Sequence, residues 1–147
     1  MTVDNTVKFW DASAIIPLLA DEPSRPSLLE HLERDPDMLA WWGTPVEIAS
    51  ALARREREGL LTAEEVESAL SVGQQLVDGW HEIVPSIALR RTAERLLRVH
   101  TLRAADSLQL AAALIACNHE PQALEVLCLD TRLASAARRE GFKVLEL

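Results

Sequence analysis

The chain has 147 residues, of which 48% are apolar and 26% are charged, so we expect one globular domain with a sizeable core. The net charge of −8 disfavours a protein that coats nucleic acid through bulk positive charge, and no apolar run approaches the roughly 18 residues of a membrane span. Two cysteines without CxxC spacing and an N-terminus without a basic segment argue against disulfide frameworks, structural zinc sites and secretion, which predicts a cytoplasmic protein.

Short stretches of β-favouring residues alternate with segments of helical periodicity along the chain. Such alternation predicts an α/β fold, a three-layer α/β/α sandwich with a central, mainly parallel sheet, as a single domain over residues 1–147. The predicted strands cover residues 7–10, 38–42, 81–84, 125–129 and 142–147. The predicted helices lie around residues 15–19 and over residues 28–32, 44–59, 62–77, 86–99, 104–117 and 131–140.

Two aspartates occupy equivalent places between a strand and a helix. Asp11 directly follows the first predicted strand, and Asp130 directly follows the fourth. The turn from strand to helix in an open α/β sheet is where ligands usually collect. Each residue is also explained by a purely structural role, because aspartate is a favoured helix N-cap.

Two segments have the pattern of a capping box, in which a threonine and a glutamate three residues later close the start of a helix. Thr62 with Glu65 opens one predicted helix. Thr44 with Glu47 opens another, and Pro45 suits the first helical position. The capping box therefore gives Glu47 a structural explanation.

The helix predicted over residues 104–117 is apolar on all sides apart from Asp106, Ser107 and Gln109. A helix that is hydrophobic all round is a buried helix. An ionised carboxylate in such a place is costly unless it is paired, hydrogen-bonded or bound to a metal. Arg103, three residues before Asp106, offers a structural ion pair as the alternative to a metal.

Strand ends and helix starts meet at one edge of a parallel sheet, so the four acids are expected close together. They would repel one another unless a cation neutralised them. Hard oxygen ligands favour Mg²⁺ or Mn²⁺. The four histidines have no zinc-ligand spacing, and the sequence contains neither a glycine-rich phosphate loop nor a GxSxG elbow. Metal-assisted phosphodiester chemistry is the reaction class that remains.

The four acids lie in the segments at residues 9–13, 44–52, 102–111 and 129–134. In order and spacing these segments resemble the motifs of PIN-domain nucleases, most closely the VapC toxins of VapBC toxin–antitoxin pairs. Two positions depart from that pattern. Cys128 stands where the family usually has serine or threonine, and Gln109 stands where the VapC pattern often has histidine.

The resemblance implies a five-stranded parallel sheet flanked by helices, and endoribonuclease activity on RNA. It also implies a homodimer and a small antitoxin whose C-terminal segment occupies the active-site groove. One or two divalent ions are implied among four carboxylates, those of Asp11, Glu47, Asp106 and Asp130.

The mechanism that we expect uses Mg²⁺, or Mn²⁺, held by Asp11, Asp106 and Glu47, with Asp130 completing the acidic pocket. The ion would lower the pKa of a water and stabilise charge on the scissile phosphate. Ser13 is placed to fix the first motif by hydrogen bonding, although its position at a helix start explains it equally well.

Two arginines and two tryptophans are candidates for RNA contacts. Arg103 and Arg132 lie near two of the acids and are predicted to bind phosphate, with local ion pairs as the alternative. Of Trp41 and Trp42, one could stack on a base of single-stranded RNA. Both could instead be buried on opposite faces of the sheet.

Three other functions compete with this hypothesis. A phosphoacceptor signalling domain also gathers acids at strand ends, but it needs a lysine at a late strand end, and Lys143 begins its predicted strand. A PIN-like domain without activity could serve as a binding module. A PIN nuclease could act in RNA processing without an antitoxin.

Overall fold

The computed structural model describes residues 7–145. The strands in this range are β1 (Lys8–Trp10), β2 (Met38–Trp41), β3 (His81–Ile83), β4 (Glu125–Leu127) and β5 (Lys143–Val144). The helices are α1 (Ala12–Leu19), α2 (Arg25–Arg34), α3 (Thr44–Arg57), α4 (Ala63–Gly79), α5 (Ile87–Val99), α6 (Ala104–Ala116) and α7 (Thr131–Arg139). None of the helices between residues 7 and 145 combines the length and the apolar content needed to cross a membrane.

Each predicted element has a counterpart, with differences at the ends. The helix predicted over residues 28–32 extends over Arg25–Arg34, because Pro26 lies in its first turn, where a missing N–H costs no hydrogen bond. The strand predicted over residues 125–129 ends at Leu127. The strand predicted over residues 142–147 is Lys143–Val144, and residues 146 and 147 lie outside the described residues.

The five strands form one parallel sheet in the order β3–β2–β1–β4–β5. Successive residues of a strand face opposite sides, and β1 shows the consequence. Phe9 packs with the residues of α5, α6 and α7 that form one core, whereas Trp10 packs with those of α1, α3 and α4 that form the other. The predicted α/β class and three-layer arrangement are confirmed, and the sheet is wholly parallel.

The strand order places a topological switch at β1. The connections that lead to β2 and β3 build outward on one side of β1, and β4 and β5 lie on its other side. In open parallel sheets such a switch opens a crevice at the carboxyl ends of the strands, where ligands bind. The N–H of Asp11 donates to the carbonyl of Leu127 at 3.0 Å, so the ends of β1 and β4 lie side by side.

Candidate active site

Asp11 leaves the end of β1 and caps α1. Its carboxylate accepts hydrogen bonds from the backbone N–H of Ser13 at 3.1 Å and from the Ser13 hydroxyl at 2.5 Å. The side chain is only 4% exposed. Burial raises the pKa of Asp11, against the bonds from Ser13 and Cys128, and the charge of Asp106 raises it further. Asp11 therefore has the capping role that its position suggested, and capping also fixes the direction of its carboxylate.

Ser13 joins the first acid to the last. Besides donating to Asp11, its hydroxyl oxygen accepts hydrogen bonds from the backbone N–H groups of Leu129 at 2.9 Å and Asp130 at 3.2 Å. The Cys128 thiol lies in the same network, 3.6 Å from the Asp11 carboxylate. The short loop after β4 is therefore held against the end of β1.

Asp130 also caps a helix. Its carboxylate accepts a hydrogen bond from the backbone N–H of Leu133 at 2.9 Å, in the first turn of α7. Unlike Asp11, Asp130 is exposed. One of its oxygens is thus engaged in the cap, while its charge faces the crevice closely enough to raise the pKa of Asp106.

The capping box predicted for Thr44 and Glu47 is wrong. Helix α3 begins at Thr44 itself, with Gly43 as the N-cap and no side-chain capping bond. Thr44 is buried, and its hydroxyl accepts a hydrogen bond from the side-chain amide of Gln109 at 2.9 Å. The same amide nitrogen donates to the Glu47 carboxylate at 2.7 Å. Glu47 therefore points across the edge of the sheet towards α6.

Gln109 is the residue whose role the sequence left unrecognised. It is fully buried on α6 and connects that helix to α3, which lies on the opposite face of the sheet. Its side-chain oxygen is buried without a hydrogen-bond partner among the described residues. A polar residue in an otherwise apolar helix was the available signal, because such a group requires a partner when buried.

Two polar residues of α6 bind this helix to two different neighbours. The hydroxyl of Ser107 donates to the carbonyl of Ala93 on α5 at 2.5 Å, and Gln109 bonds to α3. Asp106, in the first turn of α6, is half-buried. Burial and the charge of Asp130 raise the pKa of Asp106, while Arg103 and Arg132 oppose the shift.

The pKa of Glu47 also departs from its ordinary value. Burial raises the pKa of Glu47 to about 7, against the hydrogen bond from Gln109, and the charges of Asp11 and Asp106 contribute in the same direction as burial. A negative charge raises the pKa of a nearby carboxyl group when no positive charge close by compensates it. The charges of Asp11, Asp106 and Asp130 thus each act on a neighbouring acid of the predicted site.

Cationic side chains do not neutralise these acids. The ion pairs within residues 7–145 include none of Asp11, Glu47, Asp106 and Asp130. The ion pair predicted as an alternative between Arg103 and Asp106 is therefore wrong, although the Arg103 charge acts on Asp106 from farther away. Arg103 and Arg132 are both exposed and remain predicted phosphate ligands.

The chemistry of these acids suits a hard divalent cation, but their geometry is open. Among residues 7–145, no group of three His, Cys, Asp or Glu side chains is arranged to hold a metal ion. Carboxylates without positive charge between them repel and stay apart. Oxygen donors without cationic partners are what Mg²⁺ or Mn²⁺ requires. The four side chains thus have the donor chemistry of such a site, but in this structure they are not gathered into one.

A pH test follows from the pKa of about 7 for Glu47. A folded pKa above the ordinary value of 4.5 means that the stabilising contribution of this group is complete below about pH 4.5 and is lost as the pH rises through about 7. We expect the Tm of the metal-free protein to fall from pH 5 to pH 8, and to fall less in Glu47→Gln. Equal slopes in thermal melts of the two proteins would contradict the assignment.

The two adjacent tryptophans have different environments. Strand β2 ends at Trp41, which is 6% exposed, whereas Trp42 lies in the turn before α3 and is 54% exposed. The two rings meet edge to face with centroids 6.2 Å apart. The alternative in which both tryptophans are buried is therefore wrong for Trp42, which lies just past the carboxyl end of β2 and five residues before Glu47.

Comparison with known proteins supports the fold. Neither a protein-family model nor a curated protein matches the sequence. The structure is similar to the crystal structure of FitAcB from Neisseria gonorrhoeae, with a TM-score of 0.66, 16% identity, and coverage of 95% of this chain and 97% of that chain. It is also similar to a toxin–antitoxin complex from Klebsiella pneumoniae, with a TM-score of 0.63, 16% identity, and coverage of 95% and 96%. At 16% identity these likenesses show that the fold is shared, and the fold that the sequence predicted is therefore confirmed.

Proposed function

We propose that this protein is a Mg²⁺- or Mn²⁺-dependent endoribonuclease and the toxin of a type II toxin–antitoxin pair. One observation carries the proposal: four carboxylates lie at the switch point of a parallel sheet, and none of them forms an ion pair within residues 7–145. Acids in this state favour a divalent cation and, through it, an anionic substrate. The fold shared with a toxin–antitoxin complex supports the biological role.

A divalent ion at this site would supply a Lewis acid that activates water and neutralises charge on the scissile phosphate. The chain supplies the ligands and their orientation. Asp11 is fixed by its cap and by Ser13, and Glu47 by Gln109. Asp106 approaches from the α6 side of the sheet, and Asp130 from the start of α7. The Asp11 and Glu47 carboxylates are therefore oriented before an ion or a phosphodiester arrives.

The direct test is incubation of purified protein with structured RNA. We expect cleavage in Mg²⁺ or Mn²⁺ that stops on chelation, returns when the ion is restored, and leaves a 5′-phosphate and a 3′-hydroxyl. Cleavage that survives a chelator would exclude this mechanism. Binding of the ion without cleavage of any RNA would favour a PIN-like binding module instead.

The proposed antitoxin distinguishes a toxin from a processing nuclease. A cleft of about 570 Å³ between α1, α3 and α4 is lined in part by Leu60 and Val72, which are 67% and 42% exposed. Exposed apolar residues around a cleft are typical of protein interfaces.

We expect a small protein encoded next to this chain to co-purify with it and to block cleavage. Light scattering of the toxin alone is expected to give the mass of a homodimer.

The exposed tryptophan provides a further test of RNA binding. Stacking of a base on an aromatic ring contributes about 1–3 kcal/mol, so Trp42→Ala is expected to weaken binding of single-stranded RNA by about 5- to 150-fold. Loss of the contact with Trp41 is expected to lower the Tm only slightly. Val46→Ala, which alters an apolar side chain in the first turn of α3 that is 72% exposed, is the matched control. Unchanged RNA affinity in Trp42→Ala would rule out stacking at this position.

A further inference from the structure

A polar pocket lies beside the acidic crevice, at the junction of α7 with the segment that connects α5 to α6. Its volume is about 300 Å³. The polar side chains that line it are His100, Thr101, Thr131, Arg132, Ser135 and Arg139. Within residues 7–145, no carboxylate lines this pocket, although the chain as a whole is acidic.

The two arginines of the pocket form no ion pair with any of the residues that the structure describes. These are Arg132 and Arg139, and both are exposed. Glu140 directly follows Arg139, and its carboxylate already has other partners. Its carboxylate accepts a hydrogen bond from Arg95 at 3.0 Å and lies 2.6 Å from the buried His100 ring nitrogen. Two guanidinium groups thus remain available to an external anion.

The pocket adjoins the acids. Thr131 directly follows Asp130, and Arg132 acts on the pKa of Asp106 from the pocket's near side. Arg139 lies two helical turns further along α7, on the far side. An anion in the pocket would therefore lie next to the crevice without entering the cluster of carboxylates.

We infer that this basic pocket binds a phosphate of the substrate strand that neighbours the phosphate being cleaved. The inference rests on the proposed function, since it assigns the pocket to the same polynucleotide. Guanidinium groups match phosphate oxygens in pairs, and threonine and serine hydroxyls add donors. Anchoring the strand here offsets the repulsion that a polyanion meets on a chain with a net charge of −8.

The test compares Arg139→Ala with Arg138→Ala. Both residues are exposed in the last turn of α7, but only Arg139 lines the pocket. The binding of a fluorescent 12-nucleotide single-stranded RNA is measured in Mg²⁺ across a salt series, in an Asp106→Asn background that prevents cleavage. We expect Arg139→Ala to weaken binding about 10-fold and to reduce the salt slope by about 0.7, the value for one single-strand phosphate contact. Arg138→Ala should change both quantities little.

Equal effects of the two substitutions, or no RNA binding by the parent, would overturn the inference. Inorganic phosphate is titrated in a parallel arm. Displacement of the RNA by millimolar phosphate, with the difference between the two variants abolished, would identify a free-anion site instead. If the wild-type chain cleaves no RNA in Mg²⁺ but Arg139→Ala still loses affinity selectively, the proposed function fails while the subsite stands.

Discussion

Asp106→Asn is expected to reduce metal-dependent RNA cleavage by about 10²–10³-fold, the loss that follows removal of one electrostatic contact to a transition state. The same substitution is expected to raise the Tm of the metal-free protein by a few degrees. Burial and the charge of Asp130 both disfavour the ionised form of Asp106, as its raised pKa indicates. Asparagine has nearly the same shape without the charge. Because Asp106 is only half-buried and solvent screens its charge, the gain is expected to be about 1 kcal/mol at most, which corresponds to about 2–4 °C in a domain of this size.

The opposite signs of these effects make the prediction specific. A residue needed only for folding would lose activity together with stability. Cleavage rates and thermal melts should be measured for Asp106→Asn and for Glu67→Gln, which removes one negative charge from an exposed position on α4. Cleavage retained in Asp106→Asn, or lost together with a lower Tm, would contradict the assignment.

Gln109→Glu is expected to destabilise the protein strongly at neutral pH. The new carboxylate would be fully buried and within hydrogen-bond distance of Glu47. An uncompensated buried charge costs about 3–5 kcal/mol, a large part of the total stability of about 5–15 kcal/mol for such a domain. Stability should largely return near pH 5, where the carboxyl groups are protonated. Circular dichroism melts at pH 5 and pH 7.5 measure both effects.

Gln109→Leu separates the hydrogen bond from the charge. Thr44 and Glu47 would lose their shared donor, which costs about 1–3 kcal/mol, and affinity for Mn²⁺ should fall because the Glu47 carboxylate is no longer held in place. Gln75→Glu, at an exposed position of α4, is the control and should change little. A Gln109→Leu protein with unchanged stability and unchanged Mn²⁺ affinity would show that the bond has no positioning role.

The two capping-box patterns explain how far the sequence could predict the site. Thr62 and Glu65 are exposed and form both reciprocal bonds of the box, as predicted. Thr44 and Glu47 have the same spacing but form neither, because a glutamine from α6 takes both side chains as acceptors. The spacing of two residues predicts a hydrogen bond between them only where no residue distant in sequence competes for the same groups. At the buried end of α3, Gln109 is such a competitor.

The positions of Asp11 and Asp130 were more predictable than that of Glu47, because their hydrogen bonds are local. Asp11 and Asp130 follow strands and cap the helices after them, and both features are visible in a local stretch of sequence. The connection between them through Ser13 depends on β1 and β4 being neighbours, which only the strand order reveals. The exposure of Trp42 likewise depended on where β2 ends.

Titration with Mn²⁺ tests most directly whether the four acids form a metal site. Calorimetry, with electron paramagnetic resonance of the free ion as a second readout, should be performed on the wild-type chain and on Asp106→Asn. We predict saturable binding of one or two ions to the wild-type chain, competition by Mg²⁺, and loss of at least one ion in Asp106→Asn. A wild-type chain that binds no Mn²⁺, or a variant that binds it with unchanged stoichiometry and affinity, would contradict the proposed metal site.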